Sequence, residues 1–329
     1  MSNKTYLAHV LDIAQLKVQY DSEAKKIVAD KGILSRIIKE TVEEMKDCSL
    51  EEIADSIEGL EISEVPVYPG KKAEAIIGMP TEDKVPNEGE ITFDIRFYII
   101  TPYGERMKLI INVEIQRKYY PGYDLVTRGV FYGARMLSAQ LDTEFSADNY
   151  DEIKKVYSIW LCLNSPKDMA GSIVKYTIKP EIVAGDLQKR ETLTNHRYDL
   201  LTVVMIGLDK KSFEEKQTKL HGLLGTVFSE QLKPDQKIEI LYKDYGMKTV
   251  KDREEGVATM CNLSDEIEER GMEQKLIEQI CRKIRKGKET SVIAEELEEE
   301  ESVVRRIYEA ALHAAPDYDK EQVYEILYK

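Results

Sequence analysis

The chain has few cysteines and histidines, and neither residue type is clustered. Its four cysteines and four histidines are scattered over 329 residues without a CxxC pair. Structural zinc sites and disulfide frameworks need closely spaced Cys or His residues, so the sequence argues against both. A metal ion in this protein would be held by oxygen ligands, which favours Mg²⁺, with Mn²⁺ as a substitute.

Long apolar runs are also missing. No stretch of about 18 apolar residues occurs, so no membrane span and no membrane partner are predicted. The first 21 residues carry polar or charged side chains throughout and lack the apolar core of a signal peptide. We therefore predict a cytoplasmic protein.

Acidic residues are abundant, but they are not spread evenly. The net charge of −14 taken alone argues against a nucleic-acid partner. Residues 40–64 hold ten acidic residues and one lysine, and residues 264–329 hold 18 acidic and 11 basic residues. Residues 94–135 instead hold seven Lys or Arg and four Asp or Glu, a net charge of +3. The acidity is local, so a nucleic-acid partner remains compatible with the composition.

The N-terminal part of the chain has two helical patterns. Apolar residues recur at helical spacing over residues 21–46, which predicts an amphipathic helix with Asp21 as its N-cap. A short helix follows over residues 49–57, where Ser49 and Glu52 have the spacing of a capping box.

The clearest strand pattern covers residues 90–100, where the odd-numbered residues from 91 to 99 are apolar and Asp94 lies on the opposite face. A second strand follows over residues 107–116, with Glu114 and Gln116 sharing its polar face. Folding the pair back on itself brings Asp94 opposite the neighbourhood of Glu114. Alternation alone leaves the register open.

The remaining segments complete the organisation of the chain. We predict a loop over 65–70, a strand over 74–79, a turn over 101–104, a helix over 123–141, strands over 156–163, 173–178 and 200–206, and a helix over 211–231. Polar composition around 244–256 and helical patterns after 264 predict one domain over 1–245 and a helical region over 246–329.

Two carboxylates on the same solvent-facing side of neighbouring strands are predicted to form an oxygen-rich cation site. Glu114 and Gln116 point the same way because a strand repeats every two residues, and the Ile115 carbonyl between them can turn toward a metal. Mg²⁺ held there would activate a water and neutralise charge on a scissile phosphate. The alternative is that Asp94 and Glu114 are ordinary solvent-facing residues of a half-buried sheet.

The segments that carry this site resemble a known family. They are TEDKVPNEGEITFDIRF and INVEIQRKYYPGYDLVTRGVFYGARMLSAQ, within a similarity that spans roughly residues 20–165. The chain resembles the PD-(D/E)XK nuclease superfamily and, within it, the Rpn family of recombination-promoting nucleases and transposases. The resemblance implies an α/β (α+β) fold with a restriction-endonuclease-like αβββαβ mixed sheet. It also implies Mg²⁺-dependent DNA cleavage, with Asp94, Glu114 and Gln116 catalytic and with Asp94, Glu114 and the Ile115 carbonyl as metal ligands.

Gln116 departs from the superfamily pattern, which usually has lysine at this position. A glutamine amide orients water but carries no charge, so we expect a weak or conditional nuclease unless Arg117 or Lys118 compensates. The alternative is a catalytically silent nuclease fold that acts as an interaction or regulatory module. DNA is the expected partner, and the sequence does not exclude RNA.

The helix after the site supplies candidate substrate contacts. Arg128 and Tyr132 are four residues apart and share a helical face, which the resemblance places beside the active centre. Arg128 would contact a phosphate, although a structural salt bridge or packing role is the alternative. Tyr119, Tyr120 and Tyr123 would stack on bases, or else form a partly buried aromatic cluster.

First-helix acids are metal ligands in some members of the superfamily. Glu44 is the candidate in this chain, with Glu40 and Glu43 as competitors and a solvated helix surface as the alternative.

Residues 289–312 indicate two helices split by an acidic turn. They resemble a helix-turn-helix pair, with Arg305 and Arg306 on the second helix. The acidic run at 295–301 would repel phosphates, which favours a partner-binding unit or a homo-oligomer through these helices.

Overall fold

A computed structural model describes residues 6–62, 82–85, 89–102, 107–184, 198–209, 212, 218–247 and 251–327. The chain forms two compact units, residues 22–258 and residues 1–21 together with 259–329. Within the described part of the chain, no helix combines the length and apolar character needed to cross a membrane.

The larger unit is built on a six-stranded mixed sheet, and a separate two-stranded hairpin precedes its second strand. The strands in chain order are β1 Ile57–Ile62, β2 Glu82–Val85, β3 Gly89–Thr92, β4 Ile95–Ile100, β5 Lys108–Gln116, β6 Val156–Cys162, β7 Ile173–Thr177 and β8 Leu201–Gly207. The order across the sheet is β1-β4-β5-β6-β8-β7, and β2 pairs with β3 in the hairpin. Strands β5, β6 and β8 are parallel, and the other pairings are antiparallel.

The helices flank the sheet and form the C-terminal region. They are α1 Tyr6–Val28, α2 Lys31–Thr41, α3 Leu50–Ser56, α4 Leu125–Ser138, α5 Lys219–Phe228, α6 Pro234–Tyr245, α7 Lys251–Ile284, α8 Thr290–Leu297, α9 Glu301–His313 and α10 Lys320–Leu327. A mixed α/β fold with a helical C-terminal region is therefore confirmed.

The helix predicted over 21–46 is broken into two. Asp21 lies inside α1 and is not an N-cap, so that prediction is wrong. The cap is Asp30, whose Oδ1 accepts the Gly32 N–H at 2.9 Å and starts α2. The capping box of Ser49 and Glu52 at the start of α3 is confirmed by both of its hydrogen bonds.

The strand predicted over 90–100 is also interrupted. It divides into β3 and β4, with a break at Phe93 and Asp94. Strands over 156–162, 173–177 and 201–207 agree with the predictions within two residues. The predictions over 65–70 and 74–79, half of the turn over 101–104 and most of residues 211–217 lie outside the described residues.

Helix α4 lies close against one face of the sheet because two glycines face it. A Cβ added at Gly129 would meet Val203 Cγ1 at 2.6 Å and Trp160 Nε1 at 3.0 Å, and one at Gly133 would meet Leu201 Cδ1 at 2.1 Å. The predicted solvent exposure of this face is therefore wrong, because α4 covers it. On β5 the polar residues Asn112 and Glu114 are buried.

The C-terminal helices have a core of their own. Residues from α7 to α10 form one buried apolar cluster that includes Ile280, Ile293, Val304 and Val323. The predicted pair of helices split by a short turn is confirmed as α8 and α9. Contacts with DNA through this pair, and a homo-oligomer formed by these helices, stay predictions.

Candidate cation site

The site is built where β4 begins beside the end of β5. Ile95 pairs with Val113, so Asp94 and Glu114 lie opposite each other one position further along. The Asp94 N–H donates to Glu114 Oε1 at 3.0 Å, and the Ile115 N–H donates to Asp94 Oδ2 at 2.9 Å. These side-chain bonds replace the backbone ladder at the strand end and hold both carboxylates in a fixed geometry. The two predicted ligands are brought together as expected.

Burial makes this pair costly in the ionised state. Glu114 is 5% exposed, and the Asp94 side chain is 17% exposed. Burial, together with the neighbouring Asp94 carboxylate, raises the pKa of Glu114 well above its usual range. A bound cation would offset this cost, because it would neutralise two carboxylates that face each other in a low-dielectric position.

Lys25 contacts the pair, and no pattern in the sequence predicts this contact. Its Nζ lies 2.8 Å from Asp94 Oδ1, with 21% of the lysine side chain exposed. Lys25 belongs to the last turn of α1, where Lys26 follows it directly. No local pattern distinguishes one lysine from the other, since the contact joins segments that are distant in sequence.

Arg128 and Tyr132 lie beside the carboxylates, as predicted. Arg128 Nη2 donates to the Tyr132 hydroxyl at 2.7 Å, and Nη1 donates to the Tyr123 hydroxyl at 2.6 Å. The guanidinium also lies 5.2 Å from the Trp160 ring centroid. Burial raises the pKa of Tyr132, and repulsion from Glu114 adds to this shift, which places the hydroxyl within electrostatic reach of the pair.

The three tyrosines predicted to stack on bases are not equivalent. Tyr119 and Tyr120 meet edge to face with ring centroids 5.0 Å apart. Tyr120 is 74% exposed and Tyr123 is 52% exposed, whereas Tyr119 is only partly exposed. Both exposed rings can therefore be reached from solvent, and the Tyr123 ring centroid lies 5.6 Å from the Arg128 guanidinium. Base stacking by these rings stays a prediction.

Gln116 lies at the end of β5 and is held by the backbone. Its Nε2 donates to the Lys118 carbonyl at 2.9 Å. Gln116 lies on the same face of β5 as Glu114, as the two-residue repeat of a strand predicts. The strand therefore directs the Gln116 side chain, with its amide oxygen, to this face. The predicted roles of Gln116 in positioning water and of the Ile115 carbonyl in binding a metal stay predictions.

Glu44 is held in a different cluster, which disagrees with its predicted place beside Asp94. The Tyr157 hydroxyl donates to Glu44 Oε2 at 2.5 Å, and Lys155 Nζ lies 3.1 Å from Oε1. Tyr157 is three residues before Trp160, the partner of Glu114 in the parallel pair of β5 and β6. Since alternate residues point to opposite faces, Tyr157 and its Glu44 partner lie on the other face from Glu114.

Two carboxylates suit a magnesium ion even without further protein ligands. Among the described residues there is no group of three or more His, Cys, Asp or Glu side chains that could hold a metal. Mg²⁺ keeps several waters and is commonly bound through one or two carboxylates together with substrate phosphates. Asp94 and Glu114 fit this pattern, with the Ile115 carbonyl as an added oxygen.

Comparisons with known proteins add no relative. No model of a protein family matches the chain, and neither the curated proteins nor the solved structures give a match. The resemblance to PD-(D/E)XK nucleases therefore stays a prediction based on the motif residues.

Proposed function

We propose that this chain is a metal-dependent nuclease of the PD-(D/E)XK type that hydrolyses DNA phosphodiester bonds. The observation that carries the proposal is the pair of carboxylates at the ends of β4 and β5, fixed by reciprocal hydrogen bonds of 3.0 and 2.9 Å. A buried carboxylate pair that is held rigidly and lies beside an arginine is typical of a site that binds a cation and a phosphate.

Each residue has a separate task in this proposal. Asp94 and Glu114 hold the cation, and Gln116 orients the attacking water through its amide. Bound Mg²⁺ would activate water and neutralise charge on the phosphate. Arg128 binds a phosphate oxygen, because its guanidinium is already held between the hydroxyls of Tyr123 and Tyr132.

Cleavage of supercoiled plasmid with Mg²⁺, Mn²⁺, Ca²⁺ or EDTA tests the proposal. The variants are Asp94→Asn and Glu114→Gln, which keep shape and remove charge, and Glu44→Gln is the matched control from the other cluster. We expect Mg²⁺-dependent nicking to fall about a hundredfold or more in both site variants, the size typical for loss of one positioned electrostatic group. The control should nick like the wild type.

Two results would contradict the proposal. Equal nicking by all proteins would mean a contaminating nuclease or another site. No nicking by folded wild-type protein on any DNA or RNA would favour the second candidate function.

That second candidate is a nuclease-like fold that serves as an interaction or regulatory module. Two observations favour it over an ordinary nuclease. The Gln116 amide donates to the Lys118 carbonyl and brings no charge to the site. The described residues also offer no third acidic or imidazole ligand beside Asp94 and Glu114.

A further inference from the structure

Lys25 makes an ion pair unlike that of its neighbour. Lys26 pairs within its own helix with Glu23 at 2.6 Å and is 40% exposed, an ordinary surface contact. Lys25 instead crosses to Asp94 at 2.8 Å, where both side chains are about four-fifths buried. The ammonium therefore lies at the carboxylate pair itself.

A divalent cation and this ammonium would compete for the same carboxylate. Asp94 Oδ2 is already held by the Ile115 N–H, and Oδ1 is held by Lys25. A cation bound by Asp94 and Glu114 would repel the ammonium. The flexible stem of lysine allows the ammonium to move while α1 stays in place.

A substrate phosphate is the natural new partner for the displaced charge. A phosphodiester held by the cation brings a negative charge within reach of the residues around Asp94. Arg128 already lies beside Glu114, and Gln116 contributes no charge. The Lys25 ammonium would therefore add a second positive side chain to that of Arg128 when the substrate phosphate is bound.

We infer that Lys25 is a phosphate-binding residue of this site, whose ammonium passes from Asp94 to the substrate phosphate when a divalent cation binds. The inference rests on the proposed function for its substrate class. It predicts that the contribution of Lys25 to DNA affinity depends on the cation, which a purely structural ion pair would not show.

The test uses the full chain and a fluorescein-labelled DNA duplex. Lys25→Met, Lys25→Arg and the matched control Lys26→Met are compared with the wild type by anisotropy in Ca²⁺ and in EDTA, over a range of salt. Single-turnover cleavage is then measured in Mg²⁺. Thermal melting of each variant confirms that it is folded, and Lys25→Arg keeps the charge if Lys25→Met does not fold.

In Ca²⁺ we expect Lys25→Met to lower DNA affinity about fivefold to tenfold and to reduce the slope of log affinity against log salt by about one. In EDTA it should match Lys26→Met, because the ammonium is then bound to Asp94. Cleavage should fall about a hundredfold in Lys25→Met and much less in Lys25→Arg. Lys26→Met should stay within about twofold of the wild type, since Lys26 pairs with Glu23 of its own helix and not with Asp94.

The outcomes separate this inference from the proposed function. If the wild type cleaves DNA but Lys25→Met equals Lys26→Met in Ca²⁺, the role of Lys25 is overturned and the nuclease stands. If the wild type does not cleave DNA but Lys25→Met loses the Ca²⁺-dependent affinity, the phosphate contact of Lys25 is supported and the proposed DNA hydrolysis is contradicted. If the wild type shows no Ca²⁺-dependent DNA binding, the role of Lys25 is overturned, and the nuclease is overturned as well only if Mg²⁺-dependent cleavage is also absent.

Discussion

Two carboxylate clusters lie on opposite faces of the same sheet, and different donors bind their carboxylates. Near the start of β6, Lys155 bridges Glu44 and Asp199 at 3.1 and 2.7 Å, and the Tyr157 hydroxyl adds a hydrogen bond. At the end of β5, each carboxylate accepts a backbone N–H: Glu114 from Asp94, and Asp94 from Ile115.

We infer from this difference that the cluster around Glu44 is structural and that the pair of Asp94 and Glu114 is the functional site. In the cluster of Glu44, Lys155, Tyr157 and Asp199, side-chain donors of the chain bind both acids, and only Asp199 Oδ1 is buried without a hydrogen-bond partner among the cluster's carboxylate oxygens. In the second cluster, Asp94 contacts Lys25. The pKa of Glu114 is nevertheless raised, by burial and by the neighbouring Asp94 carboxylate. Each cluster sets one lysine against two acids, so the second differs in the deep burial of Glu114 and in the direct apposition of its two carboxylates. On this ground we infer that the second cluster is the functional one.

The largest expected effect on stability comes from breaking the structural cluster. Lys155→Met leaves Glu44 and Asp199 without their shared cation, where the Lys155 and Glu44 side chains are 15% and 17% exposed. We expect a loss of about 2 kcal/mol in the free energy of unfolding, below the range for fully buried pairs because Asp199 is more exposed. Urea denaturation measures this.

Plasmid nicking by Lys155→Met should stay unchanged once the protein is folded. A loss of nicking with unchanged stability would reverse the roles given to the two clusters.

The pH dependence of stability is the next effect. A raised pKa in the folded state means that the stabilising proton on Glu114 is fully present below its unfolded value of 4.5 and is lost as the pH rises through the folded value. In EDTA, Glu114→Gln should therefore be more stable than the wild type at neutral pH, by about 1 kcal/mol. The difference should shrink toward pH 4.

Denaturation of both proteins from pH 4 to pH 8 checks this difference curve. A constant difference across that range would mean that Glu114 does not titrate as its surroundings require.

A smaller effect is expected at the substrate side of the site. Arg128→Ala should weaken Ca²⁺-dependent DNA binding about fivefold, because it removes one phosphate contact. Arg305→Ala is the matched control, since Arg305 is exposed on α9 and pairs with Glu301 at 2.6 Å. Equal losses in both variants would indicate that DNA binds through general charge and not through this site.

Local alternation predicted β5 and the pairing of its end with the segment of Asp94, but it joined β3 and β4 into one strand. Alternation along residues 90–100 and 107–116 placed Asp94 and Glu114 on one face, and the register of Ile95 with Val113 brings them together. Burial of that face was not predicted because it depends on the packing of α4 against the sheet. That packing is evident only from the structure, where Gly129 lies close to β8.

Contacts distant in sequence explain the other misses. Glu44 was predicted as a metal ligand because first-helix acids have this role in some members of the superfamily that the chain resembles. In the structure, Tyr157 and Lys155 hold it on the opposite face. Lys25 carries no sequence signal that distinguishes it from Lys26. Both depend on how helices are set against the sheet, which hydrophobic periodicity does not encode.

Metal-dependent stabilisation is the most direct measure of a cation bound by Asp94 and Glu114. The melting temperatures of the wild type, Asp94→Asn, Glu114→Gln and Glu44→Gln are measured in EDTA and with increasing Mg²⁺ or Mn²⁺. We expect the melting temperature to rise with metal concentration in the wild type and in Glu44→Gln, and not to rise in Asp94→Asn or Glu114→Gln. No rise in any protein, or a rise lost only in Glu44→Gln, would contradict a cation site at Asp94 and Glu114.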